Sequence, residues 1–420
     1  MKRSILVLLL LNLLNGLNFA QGEGALSGHT IQRSLPLIGA GQIGAAKANN
    51  DPIGYYLNPA ILGYTSQNNH ASLYFMPSKV EWIKSFGLDL TWNTFGFNIG
   101  YNLEEYNLPI SVGFGYMHDM FSYGTFQIVG PFVGPSGPEV LGEFESYDSF
   151  DNFSFGVGLD YYILFNLGLS IKPFDSNFGE SPLEGEEKIR RAMGTAYDYG
   201  TMIIVPISKL LFNNIKCDLS NTTFIKPTTN FTLGYSLTNV GNEIVYGDND
   251  QADPLSRTGR LGYTIDFGFD AYINKNKLNL ISYSFTAEAE DRLITQNDSH
   301  EFDGYQSFLG DIDVGKHLIQ LKADDKVIVH KGHTINLFET LTITTGSFTG
   351  RGYPEVKNTN GYGFSSEGLL KLFSYSANNT TLNYIAKHFV IEYYDVTIFA
   401  DWVYEIDMEG ISLHMKNITF

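Results

Sequence analysis

The chain of 420 residues is poor in cysteine, in charge and in long apolar runs. Its one cysteine, Cys217, has no partner for an internal disulfide, and we expect it to be a small buried residue at a strand edge rather than a reactive thiol. Only 17% of the residues are charged. After the first 20 residues, no stretch reaches the roughly 18 consecutive apolar residues that a transmembrane helix requires. The sequence therefore predicts no helical membrane span in the mature chain.

A basic face and a recognisable catalytic motif are also missing. The formal net charge is −18, which argues against nucleic acid as a partner because nucleic-acid binding needs a basic surface. The nucleophile motif Gly-x-Ser-x-Gly does not occur, and none of the nine histidines has a recognisable catalytic setting. We therefore predict neither an enzyme nor a cofactor. A barrel enzyme with a dispersed Ser–His pair, such as an outer-membrane lipase, stays open as an alternative.

The N-terminus has the features of a secretory signal peptide over residues 1–20. Lys2 and Arg3 form a charged start, and Ile5–Leu14 is an apolar stretch too short to span a bilayer. Ala20 is small enough for cleavage after it. The alternative is an uncleaved anchor helix.

From about His70, apolar and polar residues alternate along much of the chain. The period of two places one set of side chains on one face of a strand. The apolar sets are Ala71, Leu73 and Phe75; Phe86, Leu88, Leu90 and Trp92; Phe95, Phe97, Ile99 and Tyr101; Ile110, Val112, Phe114 and Tyr116; Phe153, Phe155, Val157, Leu159 and Tyr161; Phe165, Leu167, Leu169 and Ile171; Phe231, Leu233, Tyr235 and Leu237; and Leu261, Tyr263, Ile265, Phe267 and Phe269.

The opposite faces carry small, weakly charged residues such as glycine, serine, threonine and asparagine. A soluble sandwich would present lysine and glutamate there, whereas a membrane barrel has an apolar lipid face and a polar lumen. With 26 Tyr and 31 Phe, the chain also has the aromatics that such barrels place at the membrane interfaces. We predict an all-β protein, a transmembrane antiparallel β-barrel of about 14 strands over residues 69–420. A soluble secreted all-β protein is the alternative.

The predicted connections differ in length. Trp92–Phe95 and Tyr101–Asn107 are expected to be short turns, whereas 130–151, 173–197 and 246–257 are expected to be long loops on the opposite side of the barrel. The second of these loops has the composition of a short helix. The amphipathic C-terminus ends in Phe420, typical of strands that the outer-membrane assembly machinery recognises.

The segment 21–68 precedes the strands and is rich in small residues, so we interpret it as a plug, or hatch, inside the barrel. Gly39, Gly41 and Gly44 formally match the dinucleotide motif G-x-G-x-x-G. The motif lacks its preceding strand and its later acidic residue, so we expect these glycines to let the backbone lie close to the barrel wall. Asn58-Pro59-Ala60 is expected to redirect the chain from plug to wall.

Two groups have some resemblance to metal sites. His330 and His333 are three residues apart, but the intervening Lys-Gly predicts the tip of a hairpin. Asp248, Asp250 and Asp253 crowd one loop, where calcium is conceivable, but the spacing of an EF-hand is absent and a solvated acidic loop is favoured. Asp311 and Asp313 are interpreted in the same way. We predict no metal site.

The N-terminal glycines, Asp51, the Asn58-Pro59-Ala60 triplet and the strand Ala71–Pro77 together resemble the PorV/PorQ family of outer-membrane proteins, relatives of the FadL long-chain fatty-acid transporters. The segment Gly332–Gly346, with Phe338-Glu339 at a turn, is similar to a late hairpin of the PorV group, and Gly361–Gly368 fits the same region. The resemblance implies a FadL-like barrel with an N-terminal hatch in the bacterial outer membrane, with Gly39, Gly41, Gly44, Asp51, Asn58, Pro59 and Ala60 as structural hatch residues.

The resemblance implies two functions, of which the first is our main prediction and the second the alternative. In the PorV branch, the barrel serves type IX secretion by binding and shuttling the C-terminal sorting domains of cargo, with secretion proteins as partners. In the FadL branch, it admits hydrophobic small molecules through a lateral opening. The second function predicts an apolar pocket above the hatch and a kinked or bulged strand beside it. Outer-membrane lipid is an expected partner in both cases.

Overall fold

The computed structural model describes residues 24–76, 80–81, 90–132, 138–180, 189–212, 214–246, 252–273, 276–297, 302–376, 379–400 and 405–418. The predicted signal peptide, Phe86, Leu88, Asp248, Asp250 and Phe420 lie outside these residues. Fourteen antiparallel strands of the described chain form one sheet. They are β1 (His70–Phe75), β2 (Thr91–Asn102), β3 (Ile110–Phe132), β4 (Pro138–Tyr161), β5 (Ile163–Glu180), β6 (Ile189–Val205), β7 (Thr223–Val240), β8 (Thr258–Ile273), β9 (Asn276–Arg292), β10 (Val327–Leu337), β11 (Leu341–Gly350), β12 (Tyr353–Ser365), β13 (Phe389–Ala400) and β14 (Ile406–Lys416).

The sheet closes on itself. Each strand pairs with the next along the chain, and β1 pairs with both β2 and β14. Closure satisfies the backbone hydrogen bonds within the wall, which a structure in hydrocarbon requires. The prediction of a transmembrane barrel of about 14 strands is confirmed.

The outer face of the ring is apolar. On β4, Phe155 and Val157 are each 49% exposed, whereas Ser154 between Phe153 and Phe155 is fully buried. The same alternation holds on other strands, where Leu73 of β1, Leu167 of β5 and Phe267 of β8 are exposed. Exposed apolar side chains around a closed ring suit hydrocarbon rather than water. The protein is an outer-membrane β-barrel, as predicted.

The remaining elements are short. The helices are α1 (Leu35–Gly39), α2 (Ile61–Thr65), α3 (Ile207–Leu211), α4 (Glu367–Ser376) and α5 (Thr380–His388), with 3₁₀ turns at Ser27–Thr30 and Leu103–Tyr106 and a π-helical turn at Val314–Ile319. The short strands are Val80–Glu81, Cys217–Ser220, Ile244–Val245, Ala252–Asp253, Ile294–Gln296 and Phe302–Tyr305. Within the described part of the chain, no helix is both long enough and apolar enough to span a membrane.

The prediction of a turn at Trp92–Phe95 is wrong. These residues lie within the continuous strand β2, and Trp92 faces the lumen instead of the lipid. Its indole Nε1 donates a hydrogen bond of 2.7 Å to Asp119, and this polar contact holds the side chain inside. The exposed parity of β2 consists of Phe95 and Ile99.

Two of the predicted long loops are mostly strand. β3 and β4 extend through most of 130–151, and β5 and β6 take up most of 173–197. The part of the second loop between β5 and β6 lies outside the described residues, and the described remainder is extended rather than helical. The predicted contrast between a long-loop side and a short-turn side also fails. The lower rim, the end where β1 begins and β14 ends, carries the long connections 206–222 and 366–388.

Two residue-level predictions are also wrong. His330 and His333 are not at a hairpin tip but within β10, and they face opposite sides of the wall. Cys217 is exposed rather than buried, because its short strand Cys217–Ser220 is exposed along its length. By contrast, Phe338 and Glu339 do form the turn between β10 and β11, both with positive φ.

Candidate functional site

The chain before β1 occupies the inside of the ring. Residues 24–69 are mostly buried, with Leu35, Ile38 and Tyr56 fully enclosed. We call this stretch the interior segment. Its backbone hydrogen-bonds to side chains on the inward parity of β9, β10 and β12. The lumen is therefore filled by the protein's own N-terminal chain.

Glycines on the inward parity of the wall allow this segment to approach closely. A Cβ placed on Gly156 of β4 would come within 2.6 Å of Leu62 Cβ and Gly63 N, and one on Gly158 would come within 2.6 Å of Gly63 O. Real side chains do not reach such distances. The helix α2 thus packs against bare wall backbone.

Glu288 of β9 holds the middle of the interior segment through backbone groups. Its Oε1 accepts hydrogen bonds from Ala45 N at 2.8 Å and Ala46 N at 2.9 Å, and its Oε2 accepts one from Gly44 N at 2.9 Å. The side chain is fully buried. A carboxylate that accepts three backbone N–H groups is strongly fixed, because hydrogen bonds to an ionised acceptor are stronger than neutral ones.

A second polar anchor lies beside Glu288. Arg260 of β8 forms an ion pair with Glu290 and donates a hydrogen bond of 2.8 Å to Gln42 O. His330 Nδ1 donates to Gly41 O at 2.8 Å, and its Nε2 lies 3.1 Å from Glu290 Oε2. β8, β9 and β10 therefore grip the segment around residues 41–46.

A third anchor lies on the opposite part of the wall. Arg33 of the interior segment and Asp119 of β3 form a bidentate pair with both N–O distances at 2.9 Å. The Arg33 guanidinium carbon lies 4.6 Å from the centre of the Trp92 ring. Both charges are almost completely buried, so the pair is stable only while both partners are present.

A third buried ion pair joins two wall strands. Lys172 of β5 lies 2.8 Å from Asp198 of β6, and its ammonium also donates to Asn239 of β7. The small, weakly charged residues of the inward parity do not predict these buried charges. Single charged residues on the otherwise small parity of a strand were the signal that was available.

The predicted hatch residues are all in the interior segment, but they contact different parts of the barrel. Gly39 lies against β11 and β12, and Gly41, with a φ of +90°, lies against the backbone of β10 at Lys331. This positive φ is a conformation that glycine adopts without strain. Gly44 packs instead against Gln32 and Leu57 of its own segment. In the structure, the three glycines do not form a phosphate-binding loop.

The later predicted residues contact their own segment and the wall at β5. Asp51 is buried and its Oδ1 accepts a hydrogen bond from Ile53 N at 2.9 Å. Asn58 Nδ2 donates to Ala45 O at 2.6 Å, while its Oδ1 accepts from Ala60 N at 3.1 Å. Pro59 lies against Gly168 of β5. These residues shape the chain just before α2.

One part of the lumen is apolar instead of polar. Buried side chains of the wall and of the interior segment form a single packed cluster that extends across the lumen, and we call the part of it near the end of β1 the apolar chamber. Its members are Leu35, Met76, Val80, Val396, Ile398, Ile406 and Met408. Such a face toward the lumen is unusual, because barrel lumens are polar.

The chamber lies beside the place where the described ladder between β1 and β14 ends, which we call the interruption. β1 pairs with residues 411–416 of β14 and ends at Phe75, whereas β14 continues back to Ile406. Among the described residues, no ladder joins 406–410 to the β1 side; Met76 and the short strand Val80–Glu81 instead pair with β2. Below this point, Ile411 and Leu413 belong to the apolar outer face, and above it Asp407 and Glu409 face outward. The interruption thus lies at the border of the lipid-facing belt.

The arrangement of potential ligand side chains gives little support for a metal site. The described residues contain no group of three or more His, Cys, Asp or Glu side chains that could hold a metal ion. The charged clusters are instead satisfied by ion pairs and by backbone groups, as described above.

Comparison with known proteins gives structural neighbours only. No protein-family model matches the sequence, and no curated protein matches it. Among solved structures, the toluene transporter TodX of Pseudomonas putida is similar with 9% identity and a TM-score of 0.42, over 92% of this chain and 98% of that one. The monoaromatic hydrocarbon channel CymD has 10% identity and a TM-score of 0.39, over 92% and 97%.

A FadL homologue of Pseudomonas aeruginosa is also similar, with 7% identity and a TM-score of 0.35, over 91% of this chain and 96% of that one. These neighbours are transporter and channel barrels. At such identities and scores these likenesses do not determine the function of this chain.

Proposed function

We propose that this barrel is an outer-membrane channel for small apolar molecules, which enter from the membrane side through the wall at the end of β1. The observation that carries the proposal is the apolar chamber beside the interrupted ladder. Apolar solutes are concentrated in the membrane by the hydrophobic effect, so a path from the lipid-facing belt into an apolar lumen lets them avoid water.

The direct path along the barrel axis is filled. The interior segment is held by Glu288, by the Arg260–Glu290 pair and by the Arg33–Asp119 pair. Ions and sugars therefore meet a sealed lumen, which distinguishes this barrel from an open porin. We propose that residues 21–68 are a hatch in this sense, with Gly39, Gly41, Gly44, Asp51, Asn58, Pro59 and Ala60 as its structural residues.

Beside the chamber, the described ladder between β1 and β14 reaches no further than Phe75, and Val80–Glu81 pair with β2 and lie close to β14. Met76, Val80, Ile406 and Met408 are buried in the same apolar cluster. Moving apolar side chains breaks no buried ion pair. Opening the wall at this place therefore requires little free energy. The place is closed in the structure.

A labelling experiment tests the proposal at Met408, which faces the chamber. In a Cys217→Ser background, Met408→Cys is expressed in Gram-negative cells, and the initial uptake rate of a radiolabelled aromatic hydrocarbon is measured before and after treatment with a small thiol reagent. Toluene is a suitable first probe, because TodX is described as a toluene transporter. Blocking the chamber should lower the uptake rate at least tenfold.

The matched control is Glu409→Cys, whose side chain is the outward neighbour on the same strand. Its modification should change the rate by less than twofold. Complete modification of the cysteine at 408 with no change in uptake would contradict the proposal.

The role in type IX secretion, which was our main prediction from the resemblance, stays a prediction. No contact among the described residues favours cargo binding over solute passage, whereas the apolar chamber favours the channel.

A further inference from the structure

The connection between β12 and β13 is a pair of helices whose apolar side faces away from the barrel. In α4, Leu369, Leu372 and Phe373 are 38%, 41% and 59% exposed. Their i, i+3 and i+4 spacing places them on one helical stripe. In α5, Tyr384 and Ile385 are also exposed.

The charged side of α4 faces the barrel. Lys371 Nζ lies 2.5 Å from Glu339 at the β10–β11 turn and 3.0 Å from Glu367. Glu367 is also paired with Lys416 at the end of β14, at 2.6 Å. On a helical wheel, Glu367 and Lys371 lie opposite the apolar stripe.

This arrangement is the reverse of an amphipathic helix on a soluble protein. There, the apolar stripe packs inward and the charges face water. Here, ion pairs dock the helix on the rim and the apolar stripe is presented to the surroundings. Surroundings that favour such a stripe are apolar.

The helices leave and rejoin the wall within the lipid-facing belt. Phe364, the last outward residue before α4, and Ile391, the first strongly exposed outward residue after α5, are both exposed on the outer face. Ser366 N donates to Ile391 O at 2.9 Å, so the two ends meet at the same place. Phe338, exposed on the adjacent turn, extends the apolar surface.

We infer that the α4–α5 pair is an interfacial anchor that inserts its apolar stripe into the phospholipid leaflet at the lower rim. The continuity with the belt identifies the occupant as lipid, rather than a soluble protein partner. Lys387, exposed near the end of α5, is placed to meet lipid phosphates. The anchor would fix the depth and tilt of the barrel in the membrane.

Spin-label accessibility of the purified full-length protein in phospholipid vesicles tests this inference. In the Cys217→Ser background, a nitroxide is placed at Leu369→Cys or Phe373→Cys. Its collision rates with oxygen, which concentrates in hydrocarbon, and with a water-soluble nickel chelate are then compared. The lipid reference is Val157→Cys on the outer face of β4, and the aqueous reference is Glu104→Cys on the lower-rim turn between β2 and β3.

The oxygen-to-nickel ratio at Leu369→Cys and Phe373→Cys should be at least threefold higher than at Glu104→Cys and should approach the value at Val157→Cys. A ratio equal to that at Glu104→Cys would overturn the inference, since the stripe would then face water. Shielding from both reagents would also overturn it, because it would show protein contact. Each variant is first checked for the heat-modifiable gel mobility of a folded barrel. A folded variant labelled at either position 369 or position 373 is sufficient for the test.

Discussion

Replacing Glu288 by alanine should release the interior segment without breaking the barrel wall. The carboxylate accepts hydrogen bonds from Gly44, Ala45 and Ala46, at distances between 2.8 and 2.9 Å. No other side-chain acceptor for these three N–H groups is seen among the described contacts. Removing it leaves buried donors unsatisfied, while the ladders between β8, β9 and β10 use only backbone groups.

The free-energy cost of removing the carboxylate follows from the number of hydrogen bonds that it accepts. A hydrogen bond to a charged group contributes about 1.5–3 kcal/mol, and water entering the new space recovers part of the loss. A net cost of about 4 kcal/mol corresponds to a roughly thousandfold rise in the population of the released segment. Released segments leave the barrel axis open to ions.

Single-channel recording in planar bilayers measures this population directly. The wild-type protein should be almost silent, and Glu288→Ala should show open events about a thousandfold more often. Glu288→Gln, which retains one acceptor oxygen, should fall between them. Glu409→Ala, which removes an outward carboxylate, is the control and should match the wild type.

The reasoning is refuted if Glu288→Ala folds, as shown by its gel mobility, and remains as silent as the wild type. In that case the segment would be held by packing alone, and the carboxylate would have no part in sealing the lumen.

Two further perturbations test the charged contacts. Asp119→Ala leaves Arg33 buried without its partner and should destabilise the protein by about 3–5 kcal/mol in urea unfolding; a loss below about 0.5 kcal/mol, the usual range of surface changes, would contradict the pairing. For Glu367, burial alone would raise the pKa, but Lys416 and Lys371 outweigh it and lower the pKa to about 2. The ion pairs therefore stabilise docking of α4 at neutral pH, and this contribution is lost as the pH falls from about 4 to about 2. A nitroxide on α4 should become mobile only in that window, and Lys416→Met should shift the onset to higher pH; a pH-independent spectrum would contradict this.

The architecture of the wall follows from the sequence because it repeats. Every strand has to present apolar residues to hydrocarbon, so the period of two is visible in segments such as 153–161 without any knowledge of the partner strand. Strand ends were harder to place, since β3 and β4 extend beyond the apolar belt, where no hydrocarbon enforces the alternation. That is why 130–151 was interpreted as a loop.

The lumen could be predicted only in part. The small residues of the inward parity indicated that something packs closely against the wall, and Gly156 shows such a contact. Its charged partners could not be assigned, because Arg33 and Asp119 are 86 residues apart and nothing local pairs them. Trp92 was misplaced for the same reason: its inward direction is set by Asp119, which lies on another strand.

The apolar chamber was likewise invisible in the sequence. Val80, Ile398 and Met408 come from three separate stretches, and only closure of the barrel through β1 brings them together. The early end of β1 at Phe75 was not apparent either, because alternation continued through Met76.

The central claim is that an apolar molecule occupies the chamber beside the end of β1. The most direct measurement is a crystal structure of the full-length protein soaked with an iodinated benzene, in which anomalous scattering locates the iodine. We predict a peak inside the wall within contact distance of Met408 and Ile398. Iodine found only on the outer lipid-facing surface, with the chamber still closed, would contradict the account.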